Sequence, residues 1–313
     1  MPNAEHSIEL KGLHEDNPRD FLAALGLLRL VALLWPQLHA RMGWCGDPMT
    51  AKVVTASPLP GDWNERAVTS LQDLLEHDPD PIRHGNVIKT TVNCYREAAK
   101  RALRFRENQC ELADLPSLLY AAYSSQIEPK GAKKIKEGKE IEPSWFSFAN
   151  GQSGKNLLKD VGELIQSIDG SELLNTLKGE ASPKEAKALR WNPMEFRAAA
   201  YRGPDPGDNA KGDTTLDFPA FNVLAFIGLT FFPSVPTRDG GKTLGCVEKP
   251  NQKYFQWPIW EVPLGCDELA TLLQTSLQDI KSNRHQGVVC MWRSRKFYPD
   301  QYGVYFSPAK VAS

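Results

Sequence analysis

From Phe21 to Leu34 the chain is apolar almost all round, with Arg29 as its only charge, and this segment restricts what the protein can fold into. A surface helix carries one apolar stripe, whereas a helix apolar on every side must be enclosed by other elements. The stretch is too short, and interrupted by a charge, to read as a membrane span, so the enclosing elements have to come from protein. Its ends are well marked. Asn17 can cap the helix, Pro18 suits the first turn, Asp20 sits near the positive end, and Trp35–Pro36 stops it. Gly26 in the middle costs about 1 kcal/mol relative to alanine. Close approach of another backbone would justify it.

A second stretch of this kind runs from Phe218 to Phe232, opened by Asp217 and Pro219 and closed by Pro233. Leu22-Ala23-Ala24-Leu25-Gly26-Leu27 and Leu224-Ala225-Phe226-Ile227-Gly228-Leu229 share the pattern L-A-x-x-G-L. Two buried helices packed in related positions would explain the match, and so would coincidence among common residues.

The remaining order is interspersed. Strands are expected at Ser7–Leu10, Lys52–Thr55, Trp145–Phe148, Thr243–Val247, Ile259–Val262, Val288–Arg293 and Val304–Phe306. Helices are expected at Glu65–Glu76, Thr91–Arg106, Leu115–Ser124, Lys155–Ile168, Glu172–Leu177, Pro183–Leu189 and Asp267–Ile280. This order predicts an α+β fold with two central apolar helices. Residues 1–126 read as a mostly helical lobe, 127–143 as a lysine-rich loop, and 144–313 as an α+β lobe; a single larger domain would accommodate the same order. Arg202 to Thr215, rich in Gly, Pro, Asp and Asn, is a further irregular segment.

With 313 residues, 41% of them hydrophobic, the core needs neither disulfides nor a structural metal. Cys45, Cys94, Cys110, Cys246, Cys266 and Cys290 are widely spaced with no C-x-x-C pair, the usage expected of reduced thiols in the cytoplasm. The net charge of −1, from 37 basic and 38 acidic side chains, excludes the general basic excess of a small autonomous DNA-binding domain. Any polyanion must be held by local patches.

Catalytic patterns are weak. His77–Asp78 is the only dipeptide of the kind found in HD-type metal phosphohydrolases, but Pro79, Asp80 and Pro81 follow at once, which suits a helix end running into a turn. An HD-like nuclease or phosphohydrolase is therefore the enzymatic alternative. Two Gly-Lys pairs fall short of a phosphate loop. Gly241-Lys242-Thr243 has Pro236 where the first glycine belongs, and Gly154-Lys155 has Ala149 there with Asn156 in place of Ser or Thr. No catalytic residue, metal or cofactor is expected.

Local cationic patches are the stronger signal. Arg96, Lys100 and Arg104 recur every four residues beside an apolar stripe of Val92, Tyr95, Ala99, Ala102 and Leu103. Lys133, Lys134 and Lys136 belong to a basic loop that Glu137 and Glu140 dilute. In Trp292-Arg293-Ser294-Arg295-Lys296-Phe297-Tyr298, strand alternation puts Arg293 and Arg295 on one face among aromatics, a mixture suited to phosphate contact and base stacking. Asn150, Gln152, Ser153, Lys155 and Asn156 stand where a helix N-terminus can attract phosphate and amides can read base edges. A polar turn with a serine cap explains that segment equally well.

The opening Ile8-Glu9-Leu10-Lys11-Gly12-Leu13, followed by Asn17-Pro18-Arg19-Asp20-Phe21 and the Ala24-Leu25-Gly26-Leu27-Leu28-Arg29-Leu30 helix, resembles the start of CRISPR-associated large-subunit proteins of subtype I-G, formerly I-U. The likeness covers about the first 45 residues, Trp44 included. Phe221–Leu229 and the C-terminal Arg-aromatic segment are similar more loosely. The resemblance implies a non-catalytic subunit of a type I effector complex (Cascade), whose partners are the other Cascade subunits, guide RNA, target double-stranded DNA and a helicase-nuclease. It also implies recognition of the protospacer-adjacent motif, because in such complexes base pairing reads the long sequence while protein reads a few base edges and the backbone. An adaptor that bridges effector and nuclease without touching DNA is the other reading.

Overall fold

The computed structural model describes residues 5–77, 92–105, 111–123, 145–146, 148, 157–187, 189–193, 214–237, 240–249, 252–276, 287–300 and 303–312. Helix α1 spans Pro18–Leu34, and Asn17 caps it as expected, its side-chain oxygen accepting from the Arg19 and Asp20 backbone N–H groups at 3.0 and 3.5 Å. The helices that follow are α2 (Trp63–His77), α3 (Val92–Phe105), α4 (Leu115–Tyr123), α5 (Leu157–Ser167), α6 (Gly170–Lys178), α7 (Pro219–Gly228) and α8 (Cys266–Ser276).

The central packing event is the crossing of α1 and α7. All ten residues of α7 are buried, and so is every residue of α1 from Pro18 to Leu28. A Cβ added at Gly26 would lie 1.8 Å from the Leu224 carbonyl oxygen, and one added at Gly228 would lie 2.0 Å from that of Leu22. Leu22 and Gly26 correspond to Leu224 and Gly228 in the shared L-A-x-x-G-L pattern. The crossing is therefore reciprocal, each glycine admitting the other helix's leucine carbonyl.

A buried ionic clasp ties the N-terminal ends of these two helices together. Arg19, 3% exposed, donates to Asp20 at 2.8 and 3.0 Å and to Asp217, while Asn222 donates to the second Asp217 oxygen at 2.7 Å. The Arg19 guanidinium also lies over the Phe218 and Phe221 rings, at 5.7 and 5.1 Å from their centroids. Asp20 thus does more than face a helix end. Burial raises its carboxyl above the ordinary aspartate value, against the opposing influences of Arg19 and the His14 N–H group.

Strands β1 (His6–His14), β2 (Arg41–Gly46) and β3 (Met49–Thr55) form an antiparallel sheet with β3 in the middle. Strands β4 (Lys184–Lys187) and β5 (Thr214–Asp217) pair, as do β6 (Ser234–Thr237) and β7 (Gly240–Thr243). The largest sheet takes β8 (Cys246–Lys249), β9 (Gln252–Trp260), β10 (Val288–Asp300) and β11 (Gly303–Phe306) in the order β11-β10-β9-β8. Strand β12 (Lys310–Val311) pairs with β10 at Trp292 and Arg293. Phe21 on α1 is the hub where these parts meet. Its ring lies 5.7 to 6.3 Å from those of Trp44, Phe232, Phe255, Trp257 and Trp260. Indole N–H groups from β9 fasten the sheet to the N-terminal part: Trp257 donates to Glu15 O at 2.9 Å and Trp260 to Met42 O at 2.8 Å. One buried cluster runs from Leu10 to Phe306.

The α+β class is as expected, but several elements differ. Lys184–Lys187, inside the expected helix Pro183–Leu189, is a strand because it finds a partner in β5, and pairing overrides the helix preference of Lys, Glu and Ala. Trp145 and Phe146 form a turn where a strand was expected. The expected strand Thr243–Val247 is broken at Gly245, whose φ of +72° reverses the chain between β7 and β8. Strand β9 ends at Trp260, and Val262, expected within a strand, is 68% exposed. On α3, Ala102 is buried as expected but Leu103 is 57% exposed, so it belongs to the outer face. The boundary drawn at 127–143 lies outside the described residues. Among the described residues no helix is long and apolar enough to cross a membrane.

Candidate nucleic-acid interface

Strand β10 is where the sequence-predicted cations come together. Ser294 and Lys296 turn inward: Ser294 is fully buried, and Lys296 is 8% exposed beside the Trp145 and Phe148 rings. Arg293 and Arg295 share the opposite face as alternation requires, beyond Met291, which lies on that same face and is buried. Register then builds two rows across that face. Lys310 on β12 stands beside Arg293, which stands beside Gln256 on β9. Arg295 stands beside Tyr254 on β9, which stands beside Val247 on β8. Arg295 and Lys310 are exposed; Arg293 and Tyr254 are half-buried, with the Arg293 guanidinium 5.5 Å from the centre of the Tyr254 ring.

A second arginine–tyrosine pair extends the face. Tyr305 on β11 points outward, since its neighbours Val304 and Phe306 are buried. Arg190, in the left-handed region at φ 62°, lies 5.4 Å from its ring centre. The result is a sheet surface with four cations and two tyrosines. Such a surface can attract a phosphate backbone and offer flat π surfaces to bases.

The other predicted patches fare differently. On α3, Lys100 and Arg104 are exposed, while the side chain of Arg96 lies outside the described residues. Lys100 is held by Glu97 at 2.8 Å. That hydrogen bond is the main reason the Glu97 carboxyl sits below the usual glutamate value, with Arg101 and Arg104 adding weaker pulls. An internal counter-ion thus dilutes the stripe. Lys133, Lys134, Lys136, Asn150, Gln152, Ser153, Lys155 and Asn156 all lie outside the described residues, as do Asp78 and the side chain of His77. Among the described residues, no three His, Cys, Asp or Glu side chains are grouped to hold a metal ion.

Sequence reasoning missed Tyr254, Tyr305, Arg190 and Lys310. For Tyr254 a signal existed: in Tyr254-Phe255-Gln256-Trp257 strand alternation sets Tyr254 opposite the fully buried Phe255 and Trp257, on the face of Gln256, which is itself buried. Arg190 and Lys310 join through tertiary proximity, which no local pattern announces. Lys296, adjacent to the arginines in sequence but on the opposite side of the strand, is an interior lysine. Its ammonium donates to the Trp145 carbonyl, and burial pushes its pKa down to about 8. Burial likewise pushes the neighbouring Cys246 thiol well above its ordinary value.

No family model, curated protein or solved structure matches this chain.

Proposed function

We propose that the chain is a non-catalytic, cytoplasmic subunit of a type I CRISPR effector complex, and that it contributes to holding nucleic acid during target recognition. The observation that carries the nucleic-acid part is the outer face of the C-terminal sheet, where Arg293, Arg295 and Lys310 occupy neighbouring register positions. Cations placed in this way neutralise phosphates and release condensed counter-ions, while tyrosines beside them give bases a surface to rest on. The likeness of the first 45 or so residues to the subtype I-G large subunits supports the assembly part. In that setting the partners are the other Cascade subunits, guide RNA, target duplex and the helicase-nuclease, and motif recognition falls to protein side chains. A chain of net charge −1 suits a role in which most of the surface meets protein and a limited patch meets a polyanion.

The test is co-purification with tagged effector subunits, followed by target-DNA binding from 50 to 200 mM salt. Replacing Arg293, Arg295 and Lys310 with alanine should weaken binding and flatten the plot of log affinity against log salt by about 0.9 for each phosphate that is no longer neutralised. A variant that enters the complex with unaltered affinity and slope would show the chain to be an adaptor that leaves DNA to its neighbours. Failure to co-purify would remove it from the complex altogether.

A further inference from the structure

The two arginine–tyrosine pairs narrow the kind of nucleic acid that this face can take. Tyr254 and Tyr305 lie on strands flanking β10, opposite Arg295 and Phe297 respectively. Two strand spacings of about 4.8 Å and a two-residue offset of about 6.8 Å therefore separate their Cα atoms by about 12 Å. Neighbouring bases in a duplex are stacked about 3.4 Å apart and keep their faces covered by one another. Bases resting on both tyrosines must be splayed apart with their faces open, a state that a paired helix does not offer.

We infer that the outer face of β9, β10 and β11 binds single-stranded RNA or DNA in preference to duplex, with one unstacked base on the Tyr254–Arg293 pair and another on the Tyr305–Arg190 pair. Arg295 and Lys310, both exposed, take the phosphates of the strand. Sheet faces with paired aromatics recognise single strands on this principle, because every base has a π face and stacking on it tolerates sequence. Arginine strengthens it, since a guanidinium plane stacks on a base as readily as on a tyrosine. The inference rests on the reading that this face meets nucleic acid at all.

Fluorescence anisotropy on the full chain, with labelled 12-nucleotide oligouridine, oligothymidine and a 12-base-pair duplex at one salt concentration, separates the possibilities. Either single strand should bind at least tenfold more tightly than the duplex; a preference between the two identifies RNA or DNA as the source of the strand. Tyr254→Leu and Tyr305→Leu should each weaken single-strand binding by about five- to 150-fold and leave the salt slope in place, whereas Tyr→Phe at either position should preserve binding. Two sites keep the test informative if one leucine variant fails to fold, which thermal melting would reveal. Equal binding of strand and duplex, or leucine variants that bind like the parent, would overturn the inference while leaving a phosphate-binding face intact. No binding to any of the three probes would overturn both.

Discussion

Gly26→Ala is the sharpest probe of the helix crossing. On an isolated helix the change is favourable by about 1 kcal/mol, because alanine restricts the unfolded backbone more and is the best helix former. Here the new Cβ would stand 1.8 Å from the Leu224 carbonyl oxygen and 2.6 Å from the carbonyl carbon. Restoring an ordinary 3.4 Å contact requires about 1.6 Å of movement. What must move is backbone in a fully buried helix, so no rotamer change can absorb it. Overpacking a filled core costs about 1–3 kcal/mol, and a displacement of this size belongs at the upper end. The net expectation is a loss of about 2 kcal/mol, measured by urea denaturation followed through tryptophan fluorescence. Gly228→Ala should behave alike, because it meets the Leu22 carbonyl at 2.0 Å. The double variant should lose less than the sum of the two, since one separation of the helices accommodates both methyl groups. A gain of about 1 kcal/mol in either single variant would mean that α1 and α7 do not touch as described, and the reasoning would fail.

Two further predictions concern buried charge. The Lys296 pKa is depressed to about 8 from an ordinary 10.5, so between those values the unfolded chain binds the extra proton, and stability rises with pH. The stability of the parent relative to Lys296→Met should therefore increase by about 3 kcal/mol as pH is raised from 8 to 10.5; a flat difference in paired denaturation curves would contradict the burial of that ammonium. Asp217→Ala removes a carboxylate that Arg19, Asn222 and the Phe218 N–H group all use, and should destabilise the protein by about 3–5 kcal/mol. A loss under 1 kcal/mol by the same measurement would show that the clasp contributes little.

The elements legible in the sequence were those whose signal is local. The Asn17 cap, the enclosed α1 and the close approach at Gly26 follow from residue types at fixed spacing, and each is found. Gly26 in particular announced a neighbour without identifying it; the matching Leu224–Gly228 segment supplied the candidate, and the crossing joins the two. What could not be read depends on partners distant in sequence. Lys184–Lys187 is a strand only because Thr214–Asp217 lies beside it. Leu103 obeys helical spacing yet faces outward, since amphipathic periodicity does not fix how wide a stripe the neighbours cover. At the candidate interface, alternation correctly set Arg293 and Arg295 together. It could not announce Arg190 or Lys310, and although it set Lys296 on the opposite face it could not show that the Trp145 carbonyl would receive that ammonium there.

The meeting of α1 with α7 has a bearing on how the polypeptide is born. Leu22 and Leu224 are separated by about two hundred positions, and ribosomes add roughly 5–20 residues per second, so α1 leaves the tunnel about 10–40 seconds before its mate does. For that interval a stretch greasy on every side has no permanent cover and must be shielded by chaperones or by temporary contacts within the nascent chain. A junction in which each helix admits the other's carbonyl thus cannot close until more than two thirds of the polypeptide has been made.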